Sequence, residues 1–330
     1  MRPLTEKKKL KFAFYWAASC GGCEIAVLDT NEKILDVVSM ADIVFWPVAM
    51  DIKYKDVEAM PDKSIDVCFF NGAVRTSEQE WMAKLLREKA KVLVAFGSCS
   101  HEGCIPGLAN LHNRRQIFER AYLTTPSTVN PESVTPQTKA RVKEGELTIP
   151  EFYDTVKTLD QTVDVDYYLP GCPPPVGLIE NAVEAIAKNQ LPPKGSILAP
   201  TTSVCDECPK EKEKKKISKI YRVYEKTPEP EKCLLEQGMI CMGPATRAGC
   251  KAQCLQVDMP CTGCGGPCPN ELEQGAAMMS ALASLIGSED EKSDGTDAEK
   301  LVAQIKDPVG TFYRYSLPHS VLRRKVMGNE

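Results

Sequence analysis

Ser19-Cys20-Gly21-Gly22-Cys23-Glu24 stands where an aromatic-rich apolar run gives way to helical spacing. Before it, residues 10–18 (Leu-Lys-Phe-Ala-Phe-Tyr-Trp-Ala-Ala) are short and apolar, the mark of a buried strand. After it, residues 24–38 repeat apolar side chains at helical intervals. The two cysteines therefore fall on a strand-to-helix turn. Its two glycines let the backbone approach a bulky ligand. The helix beginning there adds free N–H groups and a positive dipole end. Such surroundings favour thiolate, the form that binds metal. The turn is half of a metal centre, and the rest of the chain must supply the other half.

Working outward, strand and helix alternate from residue 10 to about 190. Residues 41–50 and 65–70 read as strands. Ser77-Glu78-Gln79-Glu80 opens a helix in the manner of a capping box. Residues 91–96 are a further buried strand, closed by Gly97-Ser98-Cys99-Ser100, and residues 163–169 alternate before Gly171-Cys172-Pro173-Pro174. A helix over 176–188 follows. The pattern predicts an α/β fold with a doubly wound parallel sheet. Residues 124–150, polar and rich in proline, read as a surface excursion. Leu191-Pro192-Pro193-Lys194-Gly195 marks a boundary between a domain of residues 1–190 and an irregular, cysteine-rich one of residues 191–330. The second has thin periodicity and little evident core, which metal clusters would staple. In it, the charge run 211–216 reads as a solvated turn, residues 276–286 as an apolar docking helix, and the acidic residues 288–299 as a mobile loop.

The 330 residues carry a formal net charge of −4, with 43% hydrophobic and 26% charged side chains, so neither nucleic acid nor another polyanion is an expected partner. No apolar run approaches the roughly 18 residues that span a bilayer, and the N-terminal residues lack both a signal peptide and a twin-arginine pair. Fifteen cysteines, an odd number in short-spaced groups, argue against a disulfide framework. A reducing, cytoplasmic setting is expected.

Cys20, Cys23, Cys99 and Cys172 each follow a predicted strand at its C-terminal end, the edge where open α/β sheets bind ligands. Convergence there would give Cys₄ ligation. The second half offers nine cysteines, enough for two more such sites. Chain order suggests Cys205, Cys208, Cys233 and Cys241 as one group, and Cys250, Cys254, Cys261 and Cys264 as another. Cys268 competes with Cys254, because Cys264-x-x-x-Cys268-Pro269 resembles the end of a bacterial ferredoxin run. Ligand count alone suits zinc or iron–sulfur equally. Three sites in one chain, one of them in a sheet crevice, favour redox clusters, and a zinc-stapled scaffold is the competing class.

Taken together and in this order, six stretches resemble the small subunits of nickel–iron hydrogenases. They are Ser19–Glu24, Gly97-Ser98-Cys99, Gly171–Pro174, Cys205-x-x-Cys208, Cys233 to Pro244, and Met259–Cys264. In detail they look most like the cytoplasmic, F420-non-reducing hydrogenases of methanogens. The resemblance implies a flavodoxin-like N-terminal domain and three [4Fe–4S] clusters relaying electrons from a partner large subunit that holds nickel and iron. It implies a proximal cluster on Cys20, Cys23, Cys99 and Cys172, a distal one on Cys205, Cys208, Cys233 and Cys241, and a medial one on Cys250, Cys261 and Cys264, for which we take Cys254 as the fourth ligand. The implied acceptor is a [2Fe–2S] protein leading to heterodisulfide reductase, with F420-reducing or sulfhydrogenase arrangements as alternatives. Cys205 replaces the histidine of membrane-bound relatives, and all-cysteine ligation should lower the potentials.

Glu24 has two readings: an acid favoured by the dipole of its helix's first turn, or, as the resemblance suggests, a proton relay from the partner's site. Asp51, just past the second strand, would reach the same crevice and could touch the proximal cluster. Cys68 reads as core, Cys104 and Cys268 as free thiols or alternative ligands, and His101, His112 and His319 as ordinary surface or interface residues.

Overall fold

The computed structural model describes residues 9–213, 215–286 and 296–324. Strands β1 (Leu10–Trp16), β2 (Ala41–Phe45), β3 (Ile65–Asn71), β4 (Ala90–Phe96) and β5 (Tyr167–Leu169) form one sheet in the order β2-β1-β3-β4-β5. All four pairings are parallel. This is the flavodoxin-like winding, which reverses direction between β1 and β3 and leaves a crevice there at the strands' C-terminal ends.

Strand alternation sends two sets of side chains to opposite faces. Phe12, Phe14, Phe69 and Phe96 pack beneath helices α1 (Gly22–Leu28) and α5 (Val176–Ala187). Phe14 sits between Trp46 and Phe69, with ring centroids 4.5 and 5.1 Å away. Ala13, Tyr15, Phe45, Phe70 and Leu93 face the other way, onto Met82, Ala83 and Leu86 of α3 (Ser77–Lys89). Cys68 is wholly buried in this second layer.

Several local expectations need correction. The helix expected over 24–38 is broken: α1 ends at Leu28, a 3-10 turn covers Asn31–Lys33, and α2 (Ile34–Met40) resumes. The Thr30 hydroxyl donates back to the Val27 carbonyl at 2.7 Å, and Asn31 takes φ 52°, so the chain leaves the helical path. Strand β2 stops at Phe45 because Pro47 has no N–H and Val48 turns to φ 73°. The cap of α3 is Thr76, one residue earlier than expected, in a reciprocal box with Gln79. Strand β5 is shorter than residues 163–169, since the Asp166 carboxylate takes the Leu93 N–H at 2.8 Å and also pairs with Arg87 and Lys194.

Residues 124–150 run over the surface and include an exposed hairpin, Lys139–Val142 against Gly145–Thr148. The second half has more core than its pattern suggests. Val204, Leu234, Leu235, Met239, Met278, Leu282, Leu301 and Phe312 are buried together, gathered from turns, from short helices and from α6 (Gln274–Leu285) instead of one periodic run. Of the acidic stretch 288–299, residues 288–295 lie outside the described residues, while Thr296 onward opens a helix to Val302. Among the described residues no helix is long and apolar enough to cross a membrane.

Candidate metal centres

The first group of thiols sits on the C-terminal edge of the sheet. Gly21, at φ 80°, caps α1 and lies flat against Trp16, where a Cβ would come within 2.8 Å of the indole. Cys20 is exposed on this turn and its Sγ accepts the Gly22 N–H at 3.4 Å. Cys23, one turn inside, is buried. Cys99 lies in the short helix α4 (Ser98–Glu102), entered through Gly97 at φ 85° and ψ 163°. A Cβ on Gly97 would meet the Cys23 sulfur at 2.3 Å, so the glycine is what lets these two loops close. Gly97 and Ser98 donate to the carbonyls of Leu169 and Gly171, both at 2.8 Å, which draws in the loop that carries Cys172.

Cys23 feels Cys99, the Glu24 carboxylate, Cys172 and Cys20 as charged neighbours, and burial first, then that crowding, pushes its thiol far up. Crowded, buried thiols that resist ionisation on their own are suited to a cationic centre, whose binding releases their protons. The structure also places a fifth thiol here. Cys104 points its Sγ at that of Cys172, 3.6 Å away. Its proton is held up by this contact and by Cys99, while the same contact favours thiolate on Cys172.

Cys250, Cys254, Cys261 and Cys264 line one cavity of 360 Å³, and Cys172 reaches it from the first group. Backbone N–H groups of Ala252 and Gln253 turn toward the Cys250 sulfur, made possible by left-handed Lys251 and Ala252 at φ 54° and 52°. Gly263 donates likewise to Cys261. Burial pushes Cys264 up to about 11. Cys268 stands outside this cavity, its thiol directed to the Pro244 carbonyl beside Arg247.

Cys205, Cys208, Cys233 and Cys241 line a second cavity of 420 Å³, which Lys212 also lines. Burial pushes Cys205 up to about 12 and Cys241 to about 11. Gly243 and Cys261 donate N–H groups to Cys241, the latter at 3.3 Å. A Cβ on Gly243 would crowd the Cys205 sulfur at 3.3 Å. Among the described residues no three or more His, Cys, Asp or Glu side chains close on a single-ion site; the thiols line open volumes. Donor set, N–H groups aimed at sulfur, and glycines where a side chain would intrude all fit iron–sulfur clusters.

The three groups are joined in a row. The Ser98 hydroxyl accepts the Gly171 N–H at 3.3 Å and donates to the Cys264 carbonyl at 2.6 Å, tying the first group to the second. The Cys261 N–H to Cys241, with Met242 donating back to the Cys261 carbonyl at 2.9 Å, ties the second to the third.

Glu24 is 8% exposed at the β1/β3 crevice. Asn71, the last residue of β3, donates one amide N–H to Glu24 Oε2 at 2.7 Å and another to the Ser19 hydroxyl at 3.1 Å. Burial raises the Glu24 pKa, against the pull of its backbone and Asn71 hydrogen bonds. Ile25 and Leu28 beside it are exposed. Asp51 points into solvent and pairs with Lys53.

His101 is not a surface residue. It is buried against the Tyr168 ring at 4.6 Å, with Nε2 3.2 Å from Glu102 Oε1. His319 reaches in from the C-terminal segment, 3.6 Å from Glu102 and 3.7 Å from Asp160. Its pairing with Asp160, helped by Glu102 and Glu273, pushes its pKa up to about 9 although burial opposes this. A histidine raised above its unfolded value of about 6.5 contributes stability in full below that value and loses it as pH rises through about 9. The thermal midpoint of the parent should therefore exceed that of His319→Gln most below about pH 6.5, with the gap narrowing as pH rises and closing by about pH 10. A gap independent of pH would contradict this.

The family described as NADH ubiquinone oxidoreductase, 20 Kd subunit, matches residues 20–186, from the first cysteine to the end of α5. The iron-sulfur subunit of the F420-non-reducing hydrogenase of Archaeoglobus profundus is 42% identical over 96% of this chain and 99% of that protein. The corresponding subunit of the F420-non-reducing hydrogenase of Methanothermobacter marburgensis is 37% identical over 97% and 98%. In the crystal structure of an NAD⁺-reducing [NiFe]-hydrogenase in the H₂-reduced state, one chain is 24% identical, with TM-score 0.49, over 56% of this chain and 94% of that one. The chain is an oxidoreductase component, the small subunit of a nickel–iron hydrogenase. It belongs to the family of F420-non-reducing hydrogenase small subunits.

Proposed function

We propose that this chain relays electrons from the partner large subunit's H₂-splitting site to a protein acceptor, through three [4Fe–4S] clusters held in the order in which the thiol groups adjoin. Cys20, Cys23, Cys99 and Cys172 would hold the proximal cluster, Cys250, Cys254, Cys261 and Cys264 the medial one, and Cys205, Cys208, Cys233 and Cys241 the distal one. The observation that supports this reading is the unbroken link between groups, Ser98 to Cys264 and Cys261 to Cys241. Bound clusters would supply one-electron carriers. The chain's own part is to hold them: thiolates neutralise the iron, and N–H groups at Cys241, Cys250 and Cys261 stabilise negative charge on sulfur. At the other end, Glu24 Oε2 takes up and releases a proton at the crevice. Exposed Ile25 and Leu28 beside exposed Cys20 suit the large-subunit contact. The acceptor side is a [2Fe–2S] protein leading to heterodisulfide reductase, in the cytoplasm.

Iron, acid-labile sulfide, nickel and zinc should be measured in anaerobically purified complex. About twelve iron and twelve sulfide per copy of this chain are expected, with nickel present only alongside the large subunit. Two or three zinc with little sulfide would overturn the reading.

A further inference from the structure

The cluster that Cys20, Cys23, Cys99 and Cys172 would hold needs four thiols, yet five gather there. Cys104 is fully buried, and its sulfur lies 3.6 Å from that of Cys172, with Cys99 close enough to perturb it. Buried free cysteines ordinarily sit among apolar side chains, as Cys68 does in β3. Cys104 is buried against thiols instead. Its backbone is at φ 47°, a region cysteine seldom takes, and the surrounding structure enforces it. The Cys104 N–H donates to the Tyr315 carbonyl at 2.8 Å. Pro318 lies over Gly103 and Gly107, where a Cβ would meet its ring at 2.3 and 2.2 Å. Two glycines, a proline and a strained backbone thus aim one thiol at the sulfurs of the first group.

We propose that Cys104 is a fifth iron-binding thiol of the proximal centre, placed to take over the coordination position of Cys172. Cys172 is the exposed member of the pair, on the loop before α5, and Cys104 the clamped, buried one. In the exchange the Cys172 sulfur leaves iron and the Cys104 sulfur binds it. The Cys104 proton passes to Cys172 across their contact, so no electron is gained or lost.

This rests on the iron–sulfur reading above, and the two fail differently. Iron and sulfide are counted in purified complex carrying the parent chain, Cys172→Ala, Cys104→Ala, and both together. If the parent holds zinc in place of iron and sulfide, the reading itself falls. If the parent holds clusters, Cys172→Ala and Cys104→Ala should each keep the parent count, and the double variant should lose about a third of it. Loss of that third in Cys172→Ala alone, or its retention in the double variant, would overturn the proposal. Should Cys172→Ala fail to assemble, the isosteric Cys172→Ser decides. Its reduced proximal centre should change its electron paramagnetic resonance spectrum when Cys104→Ala is added, and an unchanged spectrum would overturn the proposal.

Discussion

Glu24→Gln should slow H₂ oxidation by the assembled complex about 100-fold or more, the range expected when a positioned acid–base group is lost, while iron and sulfide stay at the parent count. Glutamine keeps the shape and can still accept from Asn71, so neither the turn nor the helix start is disturbed. What it cannot do is carry a proton. Burial holds the Glu24 carboxyl above the ordinary carboxylate range, which brings its proton exchange nearer neutral pH. The pH profile of turnover should accordingly lose its acid limb in the variant. Equal rates and an unchanged profile would leave Glu24 as a helix-terminal acid and nothing more.

Gly97→Ala is the second large effect. The backbone at φ 85° and ψ 163° belongs almost to glycine alone and costs another residue about 1–3 kcal/mol. The new methyl would also land 2.3 Å from the Cys23 sulfur. Gly195 is a matched control, since its φ is also 85° but a Cβ there meets nothing within 4 Å. Gly195→Ala should lower the thermal midpoint of the complex slightly and leave iron intact. Gly97→Ala should lower it further and cost about a third of the iron. Equal behaviour of the two would mean that strain, and not the closeness of the two loops, is what Gly97 relieves.

Much of the first half is legible directly. Parallel strands send their following loops to one edge, so strand order alone groups Cys20, Cys23, Cys99 and Cys172. Asn71 also ends a strand at that edge, but only the folded chain shows its amide bridging Ser19 and Glu24. In sequence Cys104 is open to either role, because Gly103-Cys104 is a tight turn whose direction is set by Tyr315 and Pro318, far along the chain. His101 gives no sign of burial, since the rings that cover it, Tyr168 and His319, come from segments far along the chain. In the second half the buried Leu234, Met278 and Phe312 belong to different turns and helices, so no periodicity announces a core. There the cysteine spacing is legible and the packing is not.

The seating of Cys104 by Tyr315 and Pro318 has a bearing on biogenesis. The first group of thiols belongs to the opening half of the chain, but one of its walls is built by residues more than two hundred positions later (roughly, from Cys104 to Tyr315 and Pro318). Such a contact closes late, because loop closure over that separation must precede it. A nascent chain emerging from the ribosome would form the sheet and present Cys20, Cys23, Cys99 and Cys172 with this flank open. The pocket then completes itself only after synthesis has passed residue 318, which gives cluster delivery an open window and gives the finished fold a door that shuts behind it.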